Sequence, residues 1–302
     1  MGNSPPRNQP HTSSSLESSS SVSEKVEEFE VIRPVVVTGV GRIYPEDADE
    51  SNFSWRVVEK LSKIIIDNKG RAVPVIKGKP SEDDETIPEP VRVCYSYVEE
   101  PSFQKWLDST DALVYLHLGV SGKPAGPANS IQLETTGKRR GVHFVSDKYP
   151  HNADDVDTPQ YLSPEGEEAP QTSFDVSTLC QDLNTLKSEV RVPTTCNEKP
   201  LKLSYKISDD AGRSLCDFLY FVSLELATTS PSRSSNPNFP RNVLFLHIPD
   251  TLCLPNDEIF GCYDHCISEK AEALAEVIEF IVTELLAQID TAEDRTATLV
   301  EQ

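Results

Sequence analysis

The stretch ISDDAGRSLCDFLYF, at residues 207–221, changes from a strand pattern to a helix pattern. It follows the alternating run LKLSYKI at residues 201–207, which is typical of a β-strand. The polar residues 208–210 supply a turn and the side chains that cap a helix N-terminus. The apolar run that begins at Ser214 then predicts a buried helix, so the chain passes here from a strand into a helix.

Cys216 lies in the first turns of this predicted helix. Unpaired backbone N–H groups and the helix dipole favour a thiolate there, and the N–H groups of Leu215 and Cys216 are candidate donors to an oxyanion. Gly212 allows the backbone to approach a substrate closely. A cysteine on a buried helix is also a common structural residue, so position alone leaves both roles for Cys216 open.

A second strand is predicted at residues 241–249, RNVLFLHIP, where Pro249 stops the apolar run. His247 therefore lies at the carboxyl end of that strand. Sites in open α/β sheets form beyond the carboxyl ends of strands, so His247 is placed to meet Cys216. A buried histidine with a structural role is the alternative.

A third strand is predicted within ALVYLHLGVSG, residues 112–122, and it runs into a glycine-rich turn. A loop then leads to IQLE at residues 131–134. Glu134 has the chemistry to orient an imidazole, which is the third role in a Cys-His-acid arrangement. A solvated surface charge is the alternative for a loop glutamate.

These stretches, together with the opening strand, resemble the type I pyroglutamyl peptidases, also called pyrrolidone-carboxylate peptidases. The matching segments keep the order that the family has and cover roughly residues 31–289. Several motifs in one order are far more specific than any one of them. The matching segments are VVVTGVG at 35–41, NFSW at 52–55, HLGVSG at 117–122 with Leu133 and Glu134, DAGRSLCDF at 210–218 and FLHIP at 245–249.

The resemblance implies a cysteine exopeptidase that hydrolyses N-terminal pyroglutamate from peptides through a thioester acyl-enzyme. Carried over position by position, it implies that Cys216 is the nucleophile, His247 the base and Glu134 the residue that orients the histidine. It also implies a substrate pocket, whose residues here are Val40, Ile43, Tyr44, Asn52 and Leu215.

Two departures from the family pattern bear on this assignment. The family's opening turn has two phenylalanines that sandwich the pyrrolidone ring, whereas this sequence has Val40 and Ile43, followed by Tyr44. Residues 123–127 lengthen the turn before Glu134, so the position of this carboxylate depends on a turn that the family does not have. The alternative function is therefore a non-catalytic or specificity-shifted relative that binds a peptide or a protein.

Strand and helix patterns alternate along the chain. This order predicts an α/β fold, a three-layer α/β/α sandwich with a mostly parallel central sheet in a single domain. The domain is predicted at residues 31–290, between a disordered Ser/Pro-rich tail at 1–30 and a polar tail at 291–302. Further strands are predicted at 31–38, 72–76, 91–97 and 113–118, and further helices at 55–67, 102–109, 173–186 and 270–289.

The charge balance argues against two classes of partner. The chain has 302 residues and a net charge of -21, from 49 acidic and 28 basic residues. Nucleic acid is therefore not an expected partner, and a negative field repels anionic membrane surfaces. No apolar run reaches the length of a membrane span. The sequence does not indicate an oligomeric state.

Cysteine usage favours a reducing compartment. The seven cysteines show no paired spacing and no export signal precedes them, so the expected location is the cytoplasm. Cys253, Cys262, His265 and Cys266 lie close together, but their spacing fits none of the common zinc frameworks. Neither a metal ion nor a cofactor is therefore expected.

Overall fold

The computed structural model of the protein describes residues 33–41, 52–81, 84, 86–92, 97–98, 100–121, 129–138, 169–191, 200–212, 215–229, 242–249 and 265–300. All of them belong to the unit that spans residues 32–302. The predicted N-terminal tail lies outside the described residues.

Strands and helices alternate along much of the described chain. The strands are β1 (Val35–Gly39), β2 (Ile64–Ile66), β3 (Ala72–Lys77), β4 (Lys79–Pro80), β5 (Pro88–Glu89), β6 (Val114–Ser121), β7 (Ser130–Glu134), β8 (Glu189–Val190), β9 (Leu201–Lys202), β10 (Ser204–Ser208) and β11 (Val243–Pro249). The helices are α1 (Phe53–Lys60), α2 (Pro101–Ser109), α3 (Val176–Leu186), α4 (Leu215–Thr229) and α5 (His265–Val300).

A sheet of seven strands forms the centre of the fold, in the order β10-β7-β11-β6-β1-β3-β2. The four central strands β11, β6, β1 and β3 are parallel to one another. By contrast, β7 is antiparallel to β11 and β2 to β3, while β10 is parallel to β7. The fully buried, valine-rich β1 fits its central place, because strands covered on both faces are apolar throughout. The prediction of a mostly parallel sheet is confirmed.

Helices cover both faces of this sheet. Leu244, Leu246 and Ile248 of β11 share a buried cluster with residues of α1, α3 and α5. Val243 and Phe245, the alternate residues of the same strand, belong to a second cluster with residues of α2 and α4. Alternation along a strand places neighbouring side chains on opposite faces, so the fold has three layers. The predicted α/β/α sandwich is confirmed.

The helix predicted at residues 55–67 is wrong beyond Lys60. The helix α1 ends where Leu61 takes an extended backbone conformation, with φ -57 and ψ 151. Ile64–Ile66 then form the edge strand β2, in which Ile65 is buried and its two neighbours are exposed. Three consecutive β-branched residues favour a strand, although the same residues also fit the apolar spacing of a helix.

The C-terminal helix is longer than the sequence pattern indicates. A polar tail is predicted after Asp290, but α5 continues to Val300, with residues 291–295 exposed. The extension contains neither glycine nor proline, the residues that most often end a helix. Asp290 also pairs with Arg71 at 2.8 Å and with Lys69 at 3.3 Å, which anchors the helix to the β2–β3 hairpin.

The remaining predicted strands and helices are confirmed within a few residues as β1, β3, β6, β10, β11, α2, α3 and α4. The strand predicted at residues 91–97 is the exception. Val91 forms an isolated parallel bridge with Val40, and Tyr97 lies in a helical turn. The ring of Tyr97 packs against Phe103 of α2 with centroids 5.1 Å apart. Residues 93–96 of the predicted strand lie outside the described residues.

Candidate active site

The alternation of side chains puts two of the predicted site residues on the sheet face that α4 covers. Ile131 and Leu133 of β7 point into the cluster on the opposite face, so Glu134 points towards α4. The same alternation along β11 places His247 with Phe245, which packs in the cluster of α4. Two distant segments of the chain therefore present an acid and an imidazole to one helix.

Glu134 and His247 form a buried pair. The His247 Nδ1 and Glu134 Oε1 atoms lie 2.8 Å apart. In the antiparallel β7–β11 register Glu134 lies opposite Phe245, so it reaches His247 diagonally, two positions further along β11. Glu134 is thus a strand residue with 0% of its surface exposed, which excludes the alternative of a solvated loop charge.

Cys216 is the second residue of α4, and its thiol lies over Gly119 of β6. A Cβ atom built on Gly119 would lie 3.1 Å from the Cys216 Sγ. In the parallel β6–β11 register Gly119 is the partner of His247. The thiol therefore lies level with the histidine on the neighbouring strand.

The surroundings of His247 set its protonation state. Burial by itself lowers the pKa of the imidazole, but hydrogen bonds and charge interactions with Cys216 and Glu134 outweigh burial and raise that pKa to about 10. Since Nδ1 faces Glu134, Nε2 is the nitrogen that faces Cys216. His247 is therefore an imidazolium at neutral pH, and it lies between Glu134 and Cys216.

The site also depends on two residues, Gly119 and Phe245, that were not among the predicted site residues. A Cβ atom on Gly119 would lie 2.8 Å from Cζ of Phe245, in addition to its contact with the thiol. The Phe245 ring packs against the His247 ring with centroids 4.9 Å apart. Gly119 thus leaves the space in which ring and thiol meet, and a glycine inside a buried strand is the sequence signal for such a close approach.

A second buried histidine lies on the same sheet face but outside the group formed by Cys216, His247 and Glu134. His117 precedes Gly119 by two residues on β6, and its Nδ1 lies 2.7 Å from the Thr38 hydroxyl oxygen. Burial lowers the pKa of His117 to about 3, so its ring is neutral. The local surroundings therefore distinguish a neutral His117 from a protonated His247.

Two of the predicted pocket residues lie at the starts of helices. Leu215 is the buried first residue of α4, where backbone N–H groups have no partner within the helix. Asn52 caps α1, because its side-chain oxygen accepts hydrogen bonds from the backbone N–H and the hydroxyl of Ser54. Asn52 thus has a capping role, which does not conflict with a place near a substrate.

The other predicted pocket residues are Val40, Ile43 and Tyr44. Val40 is buried in the core cluster of α2 and α4. Ile43 and Tyr44 lie outside the described residues, as does the lengthened turn at residues 123–127. The assignment of these residues to a pocket stays a prediction.

The described part of the chain shows no metal site. It contains no group of three or more His, Cys, Asp or Glu side chains arranged to hold a metal ion. The side chains of Cys253, Cys262, His265 and Cys266 are not among those described.

Of the helices in the described ranges, none is both long and apolar enough to cross a membrane.

Comparison with known proteins identifies relatives of the chain. No protein-family model matches the sequence. Pyroglutamyl-peptidase 1 from Rattus norvegicus, Mus musculus and Homo sapiens is in each case 29% identical over 192 residues, which cover 64% of this chain and 73% of the relative. The chain is related to the type I pyroglutamyl peptidases. The resemblance that the ordered segments indicate is confirmed.

Solved structures of pyrrolidone carboxyl peptidases share the fold. The enzyme from Thermococcus litoralis superposes with a TM-score of 0.52 at 15% sequence identity. The match covers 87% of this chain and 96% of the Thermococcus litoralis chain. A mutant of the enzyme from Pyrococcus furiosus gives a TM-score of 0.51 at 17% sequence identity, and the match covers 83% of this chain and 99% of the mutant's chain. At these identities the likeness concerns the fold, and it agrees with the three-layer arrangement described above.

Proposed function

We propose that the protein is a cysteine peptidase that removes N-terminal pyroglutamate from peptides. The observation that carries the proposal is the position of Cys216, at the start of α4, beside the hydrogen-bonded pair of His247 and Glu134. The relatives named pyroglutamyl-peptidase 1 supply the substrate class. In this proposal Cys216 is the nucleophile, His247 transfers protons and Glu134 orients the histidine.

In the first step the thiolate of Cys216 attacks the carbonyl carbon of the pyroglutamyl residue. A C–S bond forms, and the carbonyl oxygen becomes an oxyanion that the backbone N–H groups of Leu215 and Cys216 stabilise. The His247 imidazolium gives its proton to the leaving amine as the C–N bond breaks. The products of this step are the shortened peptide and a thioester.

Water hydrolyses the thioester in the second step. The neutral His247 takes a proton from the water as its oxygen attacks the thioester carbon. The C–S bond breaks, pyroglutamate leaves, and the thiolate–imidazolium pair is restored. Glu134 holds Nδ1 throughout, so that Nε2 faces the reacting groups in both steps.

The composition of the pocket predicts weaker substrate binding than is typical of the family. Val40 and Ile43 stand where the family has two phenylalanines. An aromatic pair contributes about 0.5–1.5 kcal/mol beyond area burial, so two lost pairs cost roughly 1–3 kcal/mol of binding and raise KM. These substitutions favour the second candidate function, a specificity-shifted or non-catalytic relative that binds a peptide or a protein.

The test of the proposed function uses a fluorogenic pyroglutamyl amide and two cysteine variants. Cys216→Ala should abolish turnover and the fast phase of iodoacetamide labelling at neutral pH, because it removes the nucleophile. Cys180→Ala is the matched control, since Cys180 is a buried thiol on α3 whose pKa is raised by burial. It should leave both readouts unchanged.

Two outcomes would contradict parts of the proposal. Hydrolysis that persists in Cys216→Ala means that another group is the nucleophile. A wild-type protein that binds a pyroglutamyl peptide in calorimetry but does not cleave it supports the second candidate function instead.

A further inference from the structure

The proposed reaction requires a fixed distance between two separate parts of the chain. Cys216 is carried by α4, whereas Glu134 ends the strand β7. Tyr220 joins these two elements, because its hydroxyl donates a hydrogen bond to the backbone oxygen of Glu134 at 2.9 Å. Tyr220 follows Cys216 by four residues, about one helical turn, so both side chains lie on the same face of α4.

The surroundings of Tyr220 keep it in one place and in one protonation state. None of its surface is exposed, and its ring lies with its centroid 5.8 Å from that of Phe245. Phe245 in turn packs against His247. Burial raises the pKa of the Tyr220 phenol well above its usual range, so the hydroxyl remains a hydrogen-bond donor throughout the working pH range.

The chain that follows Glu134 is held against the same helix at two further points. A Cβ atom built on Gly137 would lie 2.6 Å from the backbone nitrogen of Phe221, so this glycine permits close contact with α4. The backbone N–H of Lys138 donates to the carboxylate of Asp217 at 2.7 Å. Of the three contacts, only that of Tyr220 is made to Glu134 itself, at its backbone carbonyl. A shift of this carbonyl also moves the Glu134 carboxylate, because both belong to the same residue.

We propose that Tyr220 is a positioning residue for the reaction. It holds Glu134, and through Glu134 the His247 ring, at a fixed distance from the thiol of Cys216. The inference rests on the proposed function for its catalytic meaning, but the positioning itself is measurable on the free protein.

The test is Tyr220→Phe, which keeps the ring and removes only the hydroxyl. On a pyroglutamyl amide we expect kcat to fall about fivefold to tenfold, the effect of one lost hydrogen bond, with KM changed less than about twofold. Iodoacetamide labelling of Cys216 at about pH 6, followed on its own peptide by mass spectrometry, should slow by a similar factor, because a displaced His247 activates the Cys216 sulfur less.

Tyr205→Phe is the matched control. The Tyr205 side chain is also buried, and its hydroxyl also donates to a backbone oxygen at 2.9 Å, that of Lys187. Tyr205→Phe should lower the melting temperature as much as Tyr220→Phe does, while leaving kcat and the rate of Cys216 labelling unchanged. Equal kinetic effects of the two variants would overturn the proposal, because they would show a general effect of lost stability.

A double-mutant cycle tests whether Tyr220 acts through Glu134. In a Glu134→Gln background, Tyr220→Phe should slow labelling less than about twofold further, since the group that it positions has lost its charge. Full, independent effects of the two changes would overturn the inference.

Two further outcomes also test whether Tyr220 is a positioning residue. If Tyr220→Phe does not fold, Asp217→Asn weakens a second contact between the same segments and should slow labelling in the same direction; unchanged labelling then refutes the proposal. If the wild type does not cleave the amide but labelling still responds to Tyr220→Phe, the proposed function fails while the positioning role stands.

Discussion

His117 and His247 lie on the same face of the sheet, on neighbouring strands, and both are buried. Their pKa values nevertheless move in opposite directions. His117 contacts the neutral Thr38 hydroxyl, so burial dominates and lowers its pKa to about 3. For His247 burial acts in the same sense, but Cys216 and Glu134 outweigh it and the pKa rises to about 10. The chemistry of a histidine in this sheet is therefore decided by its neighbours.

The variant Glu134→Gln tests this account at the residue scale. A neutral amide of the same shape removes the charge that favours the imidazolium, so the pKa of His247 should fall. The alkaline limb of the pH–rate profile, expected near pH 10 in the wild type, should then move to lower pH. His117→Gln is the control, and it should leave the position of this limb unchanged. A limb that stays in place in Glu134→Gln would contradict the assigned pairing.

The same pKa also predicts how stability depends on pH. His247 has a higher pKa in the folded state, about 10, than its ordinary value of 6.5. Its contribution to stability is therefore fully present below about pH 6.5 and is lost as the pH rises towards about 10. The melting temperature should fall over this window in the wild type and fall less in Glu134→Gln, as measured by calorimetry.

A second prediction at this scale concerns Gly119. In Gly119→Ala the new methyl group would overlap the Phe245 ring and press on the Cys216 thiol. Such overpacking typically costs about 1–3 kcal/mol, so the melting temperature should fall, and displacement of the thiol should reduce kcat at least about tenfold. Adding Phe245→Leu should restore part of the stability by making space. Unchanged kinetics in Gly119→Ala would show that the thiol does not lie over this residue.

At the scale of elements, a small ionic network joins the β2–β3 hairpin to the C-terminal helix. Arg71 pairs with Asp67 in the hairpin and with both carboxylate oxygens of Asp290 on α5, at 2.8 and 2.9 Å. The Asp67 side chain is almost fully buried, and that of Asp290 is 12% exposed. The network links α5 to the hairpin that contains the edge strand β2, two of whose three isoleucines face solvent.

Asp290→Asn should loosen this connection. Hydrogen bonds to charged groups contribute about 1.5–3 kcal/mol each, so we expect a loss of at least about 1 kcal/mol, or about 2–4 °C in melting temperature. Asp111→Asn makes the same chemical change in a more exposed pair with Arg33, at 3.4 Å, and should have an effect near zero. Equal melting temperatures for the two variants would contradict the anchoring role of Asp290.

At the scale of the whole molecule, the net charge of -21 gives the protein a negative potential overall. If the proposed function holds, pyroglutamyl peptides with lysines after the scissile bond should have a higher kcat/KM than those with glutamates, by about tenfold or more at low salt. The ratio should shrink as salt is added, because salt screens charges. An uncharged peptide serves as the control, and a ratio that is independent of salt would contradict steering by net charge.

Much of the fold and the candidate residues of the site were predictable from the sequence. Long apolar and β-branched runs predict β1, β6 and β11, because a strand buried on both faces needs such residues along its whole length. Cys216, His247 and Glu134 stand in short motifs with distinctive chemistry, so each was a candidate before any contact was known. Local patterns were misleading where the residues of a segment fit both a helix and a strand, as at Ile64–Ile66.

What the sequence by itself determined is the class of the fold, which segments are strands or helices, and which side chains carry nucleophilic, basic and acidic groups. Only the tertiary structure decided that β7 runs antiparallel to β11, which brings Glu134 to His247 across 113 residues of chain. It also decided that Gly119 leaves space for the thiol and that Tyr220 holds Glu134 across 86 residues. The physical reason is that pattern and propensity act over a few neighbouring residues, whereas strand direction and close contacts depend on segments that meet only when the sheet and its helices pack together.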